Sequence, residues 1–170
     1  MIKNLKLHDI VYISDNSSQK IEHFVRTIKT FHVPFQSTTI DIISLVDASD
    51  YMSYIIVKNS TEIGRYFLVD KFPHGNSRQE ILDKGMKWLL DDNLEFVEII
   101  GDNLYIKKSP TLALLNGLDK QPCSITEYMS PQDIKNKDVI LIECAGSLSL
   151  YDGYRLNESD LEIPNGVCNA

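Results

Sequence analysis

The sequence predicts an α+β domain, a mixed and mainly antiparallel sheet of about five to seven strands with two main helices packed on it. Three observations lead there. Runs rich in β-branched and aromatic residues recur along the chain, two segments place apolar residues at helical spacing, and short Asp, Asn, Gly and Ser links join strand-like runs as hairpins do.

Residues 7–14, Leu-His-Asp-Ile-Val-Tyr-Ile-Ser, read as a first strand. Asp15-Asn16-Ser17-Ser18 offers side-chain oxygens to the free N–H groups of a helical first turn. Ile21, Phe24, Val25, Ile28 and Phe31 then form one apolar stripe at helical spacing, and Pro34 closes that first helix. Three strands follow at 38–46, 51–58 and 63–70, the last two joined as a hairpin across Asn59-Ser60-Thr61-Glu62.

Ser77 with Glu80 is a capping-box signature, and Ile81, Leu82, Met86, Leu89 and Leu90 make the buried stripe of a second helix. Residues 96–100 and 104–107 read as a second hairpin across Gly101-Asp102-Asn103. Ser109-Pro110 and Ser130-Pro131 place a cap before Pro at a first helical position, which predicts short helices there. Leu112, Leu114 and Leu115 fit the first of these, and residues 119–137 otherwise read as a long polar connection. Asp138 to Cys144 is a short buried strand, with Leu148 to Tyr151 continuing as an edge strand. The 170 residues make one domain, in which 152–170 is a loosely held acidic C-terminal segment.

With 17 Lys plus Arg against 24 Asp plus Glu, the formal charge of -7 disfavours attraction to nucleic acid or to an anionic membrane. The acidity is uneven. Residues 1–30 carry five basic against three acidic side chains, whereas 138–170 set Arg155 against six acids, a net -5. The N-terminal stretch lacks the apolar region of a signal peptide, and no run is long enough to span a bilayer. Cys123, Cys144 and Cys168 are far apart without zinc-ligand spacing. Free thiols in a reducing cytoplasm are therefore expected.

The residues that carry chemistry are few. Cys144 ends a strand ahead of Ala145-Gly146-Ser147, where a nucleophile can be presented, and His74 in Pro-His-Gly-Asn is the histidine best placed to serve as its base. His8 and Asp9 are neighbours on a strand and point to opposite faces, so they make no metal pair. Asp41, Asp47 and Asp50 match no calcium loop. There is no phosphate loop, dinucleotide fingerprint, Gly-x-Ser-x-Gly or His-Glu-x-x-His. No metal or cofactor is called for. Tyr151, Asp152, Tyr154, Glu158, Asp160 and Glu162 combine aromatic contact area with carboxylates that suit a basic partner.

The sequence thus predicts a small acidic cytoplasmic inhibitor, of the immunity type, that covers the basic surface of a toxin or nuclease through that C-terminal segment. The alternative is a cysteine-dependent hydrolase or transferase using Cys144 with His74.

Overall fold

The computed structural model describes residues 5–14, 19–34, 36–72, 77–87, 96–99, 103–116, 121–130, 137–145 and 147–164. Consecutive residues are buried in Ile42 to Leu45, in Ile55-Ile56-Val57 and in Asp138 to Ile142. Successive strand residues point to opposite faces, so each of these strands is covered on both sides. The architecture supplies both covers.

The strands are β1 (Ile10–Ser14), β2 (Lys20–Val33), β3 (Thr38–Val46), β4 (Met52–Lys58), β5 (Glu62–Phe72), β6 (Phe96–Ile99), β7 (Asn103–Lys107), β8 (Thr111–Leu115), β9 (Gln121–Met129), β10 (Lys137–Cys144), β11 (Ser147–Arg155) and β12 (Leu161–Glu162). The helix α1 covers Ser77–Asp83, and a single 3-10 turn spans Glu158–Asp160. Strands β2, β3, β4, β5, β11, β10 and β9 are neighbours in that order, and β8 pairs with both β9 and β2. Eight strands, antiparallel throughout, therefore close into a barrel. Closure leaves these strands without free edges.

Inside the barrel, Phe31, Ile40, Ile42, Ile56, Tyr66, Ile125, Ile140 and Ile142 form the central core. Outside, β1 pairs with the N-terminal part of β2 and β12 with β1, burying Val11, Ile13 and Leu161 with Val25, Ile43, Leu45, Ile55 and Val57. On another part of the wall, Ile81 of α1 and Tyr105 of β7 pack with Phe72, Tyr128, Val139, Leu141 and Leu150. Strands β3, β4 and β10 thus lie between two apolar layers, which is why their sequences read as continuous apolar runs.

The α+β expectation is corrected by this all-β barrel. The first expected helix is β2, because a bulge between Val25 and Thr27 breaks the two-residue period. Val25 and Ile28 consequently face the same outer layer three residues apart, the spacing of a helix. The second expected helix is only the seven residues of α1. Its chain leaves the helix at Gly85, whose φ of +73° is open to glycine at little cost, and Leu89 and Leu90 lie outside the described residues. Ser109-Pro110 leads into β8 rather than a helix, and the expected connection 119–137 contains β9. Pro131 lies outside the described residues. Among the described residues, no helix is long and apolar enough to cross a membrane.

Candidate functional site

Four polar side chains stand on the inward face of the barrel at one end. Lys58 continues the inward face of Ile56 on β4, Glu127 that of Ile125 on β9, Asp138 that of Ile140 on β10, and Tyr66 lies on β5. The Lys58 ammonium lies 2.9 Å from Asp138 Oδ2 and 3.1 Å from Glu127 Oε2. Tyr66 donates its hydroxyl to the same Asp138 oxygen at 2.8 Å. The other oxygen, Asp138 Oδ1, is closed to solvent and accepts no hydrogen bond from the described residues, and the residue as a whole is only 7% exposed.

Glycine makes room for this arrangement. The Tyr66 ring lies over Gly64 on its own strand and Gly153 directly opposite on β11. A Cβ on Gly64 would come within 2.5 Å of the ring, and one on Gly153 would meet both the ring and the Arg65 carbonyl. The phenol is pressed flat against the wall, with its hydroxyl delivered to Asp138.

Burial sets the charges. It pushes the Asp138 carboxyl above the ordinary carboxylate range, against the pull of the Lys58 ammonium and the Tyr66 hydroxyl. Burial also lowers Lys58, but the carboxylates of Asp138 and Glu127 outweigh it and hold the ammonium above its usual value. Tyr66 is raised far by burial and then by the Asp138 charge, so it stays protonated and remains a donor. With Lys58 charged against two carboxylates, the cluster has one more carboxylate than cation.

The cluster floors a cavity of about 380 Å³ that opens at the end of the barrel, within the size range of small-molecule sites. Ile56, Ile63 and Met129 give it apolar wall, and Lys108, Lys137 and Arg155 stand around it. Arg155 faces Glu62 at 3.9 Å. The arrangement can hold a small molecule by its hydrogen-bond donor, by its charge and by its apolar body.

The residues singled out from sequence sit elsewhere. Cys144 is joined to Cys123, directly opposite on β9 with Cα atoms 4.5 Å apart, so its thiol is engaged and the expected free thiols do not occur at these two positions. His74 and Cys168 lie outside the described residues. The C-terminal set is not brought onto one surface. Tyr151 packs inside the barrel with its ring edge-on to Tyr54 at 5.0 Å, whereas Asp152 and Tyr154 flank the inward Gly153 with half-buried side chains. Asp160 Oδ2 accepts the Asn157 N–H at 3.3 Å, Glu162 pairs with Lys20, and Glu158 is exposed. Asp47 closes the β3–β4 turn by accepting the N–H groups of Ser49 and Tyr51 at 2.8 and 3.0 Å.

Sequence reasoning missed Lys58, Tyr66, Glu127 and Asp138. A signal was present: Lys58 and Glu127 stand two residues after an inward isoleucine and Asp138 two residues before one, where a strand buried on both faces should carry another apolar residue. Protein-family models, curated proteins and solved structures contain no match to this chain.

Proposed function

We propose that this chain is a binding protein that holds a small molecule in the mouth of its β-barrel. The reading is carried by the open cavity of about 380 Å³ that the Lys58, Tyr66, Glu127 and Asp138 cluster lines beside the apolar wall of Ile56, Ile63 and Met129. A few convergent polar groups on an apolar wall are what a small-molecule site needs. Antiparallel barrels of eight strands have room for side chains or for one small ligand, and here the polar end is the part left unfilled.

The test is a ligand-observed NMR screen of small polar compounds against the wild type, Met129→Trp and Leu112→Trp. Met129 lines the cavity, whereas Leu112 is 73% exposed away from it. Compounds that bind wild type and Leu112→Trp but not Met129→Trp support the proposal. Compounds indifferent to Met129→Trp, or a screen without hits, contradict it.

A second reading keeps the immunity-type inhibitor of a basic toxin or nuclease. It draws support from the net charge of -7 and from Asp152, Tyr154 and exposed Glu158 near the C-terminal end of β11. Electrostatic steering would speed capture of a basic partner. Charge reversal at Asp152 and Glu158 should then slow association, at low salt, with a basic partner isolated by copurification with this chain, and an unchanged rate would remove this reading. The cytoplasmic placement that accompanied it has the Cys123–Cys144 disulfide against it, because structural disulfides persist mainly in oxidising compartments.

A further inference from the structure

We propose that Lys58 and Asp138 close an intramolecular isopeptide bond, with Glu127 carrying the proton. The bond does not depend on what the cavity holds, and the ion pair is the state from which it forms. Lys58 Nζ lies 2.9 Å from Asp138 Oδ2 and 3.1 Å from Glu127 Oε2, and Tyr66 donates to the same Asp138 oxygen at 2.8 Å. Amide formation between side chains needs an amine, a carboxyl group and a base that moves the proton, and the fold holds all three at hydrogen-bond range. Nζ is at most one C–O bond length farther from Asp138 Cγ than from Oδ2, so the reacting atoms start close together. The surroundings favour the neutral product. The Lys58 and Asp138 side chains are only 19% and 10% exposed, on strands whose next inward residues are Ile56 and Ile140 of the central core. An ion pair at that depth keeps two desolvated charges, whereas an amide keeps none. Asp138 Oδ1, closed to solvent and without a donor among the described residues, is less costly as an amide carbonyl than as a carboxylate oxygen.

Along the 2.9 Å hydrogen bond the ammonium first passes a proton to Asp138 Oδ2, leaving a neutral amine beside a neutral carboxylic acid. Burial pulls both groups that way, lowering Lys58 and raising Asp138, although the two carboxylates together keep the ammonium the main form. A reaction that happens once per chain needs only a minor reactive form. The amine lone pair then forms the bond to Cγ, the carbonyl π pair moves onto Oδ1, and Glu127 Oε2 takes a proton from the newly bonded nitrogen. When the carbonyl re-forms at Oδ1, the Cγ–Oδ2 bond breaks, and the departing hydroxyl takes the bonding pair and the proton from Glu127 to leave as water. The Tyr66 hydroxyl, already donating to Oδ2, assists that departure. Ammonium and carboxylate thus become an amide and water, Glu127 ends as it began, and no co-reactant is needed. The cavity lined by Lys58, Glu127 and Asp138 gives the water its exit. The bond crosses the barrel interior from β4 to β10, which β5 and β11 separate in the wall, and ties residues 80 apart in sequence.

Intact mass spectrometry of the purified full chain, with its disulfide reduced, tests the bond without any substitution. The wild type should be lighter than its sequence by the mass of one water, and a protease digest should yield a branched peptide that joins Lys58 to Asp138. Lys58→Arg and Asp138→Ala should keep the full mass. Glu127→Gln, with its fold checked by circular dichroism, should close the bond about a hundredfold or more slowly, the worth of a positioned acid–base group. The proposal is overturned if the folded wild type keeps its full mass after prolonged incubation at neutral pH, or if the digest places the lost water at other residues. Closure in Glu127→Gln at the wild-type rate overturns it as well. Because the first readout is on the wild type, it decides the matter even where a variant fails to fold.

Discussion

Asp138 is expensive to bury, and its neighbours determine how that cost is met. Lys58→Met leaves Asp138 and Glu127 facing each other without their shared ammonium, and should destabilise the protein by about 3–5 kcal/mol in urea denaturation. Asp138→Asn removes a buried charge while Lys58 keeps Glu127, so its stability loss should be clearly smaller than that of Lys58→Met. Equal losses would contradict the account of the cluster. Gly153→Ala drives a methyl group into the Tyr66 ring and the Arg65 backbone and should cost about 1–3 kcal/mol by the same measurement. His23 is a separate buried group, 2% exposed, whose Nδ1 donates to the Ile21 carbonyl at 2.9 Å and whose Nε2 accepts from Arg65 at 3.3 Å. Burial first, and the Arg65 charge second, hold its pKa below the ordinary 6.5. As pH falls below about 6.5 the unfolded chain takes up a proton that the folded chain resists, so this residue lowers stability until its own folded pKa is passed. His23→Gln should flatten that part of the stability-versus-pH curve, and an unchanged curve would show that His23 does not titrate as described. At this scale the core was legible from sequence, since Ile42, Ile56, Ile140 and their neighbours announce burial by type. The site was not, because Lys58, Glu127 and Asp138 resemble surface residues until the strands are placed around a common interior.

Elements were legible where one rule governed them and misread where two competed. Strands β3, β4 and β5 and the hairpin between the last two follow from β-branched runs and a short polar link. In β2 the bulge near Arg26 resets the alternation, so apolar residues fall three and four apart as in a helix. The Thr and β-branched content of that segment was the better guide. In α1 the capping signature was real evidence for a start, but Gly85 ends the helix early, and a stripe drawn through to Leu90 ran past it. Strand β9 was hidden by Pro122 and by its polar outward residues, while Cys123 and Ile125 carried the inward period. The disulfide then fastens β9 to β10 at the opposite end from Glu127 and Asp138, across a sequence separation of 21 residues. Loop-closure entropy assigns such a link about 3 kcal/mol. Cys144→Ser, or dithiothreitol on the wild type, should therefore lower the unfolding midpoint. Coincident curves with and without reductant would mean that the bond contributes nothing.

At the scale of the whole molecule, the decisive feature is closure, and closure is a long-range property. Strand β8 touches β2 at Phe31 and His32 across about eighty residues of sequence, and no local pattern records that contact. What the sequence did carry is its consequence, the doubly apolar runs of β3, β4 and β10, which point to strands covered on both faces rather than to helices on a half-buried sheet. Closure also places the ends of β4, β5, β9, β10 and β11 around one opening, bringing Lys58, Tyr66, Glu127 and Asp138 together from four strands. The same barrel puts the disulfide and the β10–β11 turn at the other end. The most direct test of this account is amide chemical-shift mapping of the tightest compound from the small-molecule screen on the isotopically labelled chain. The account predicts shifts concentrated at Lys58, Gly64, Tyr66, Met129 and Asp138, with Cys123, Ala145 and Ser147 undisturbed. Shifts centred on the disulfide end, or scattered over the outer wall, would contradict it.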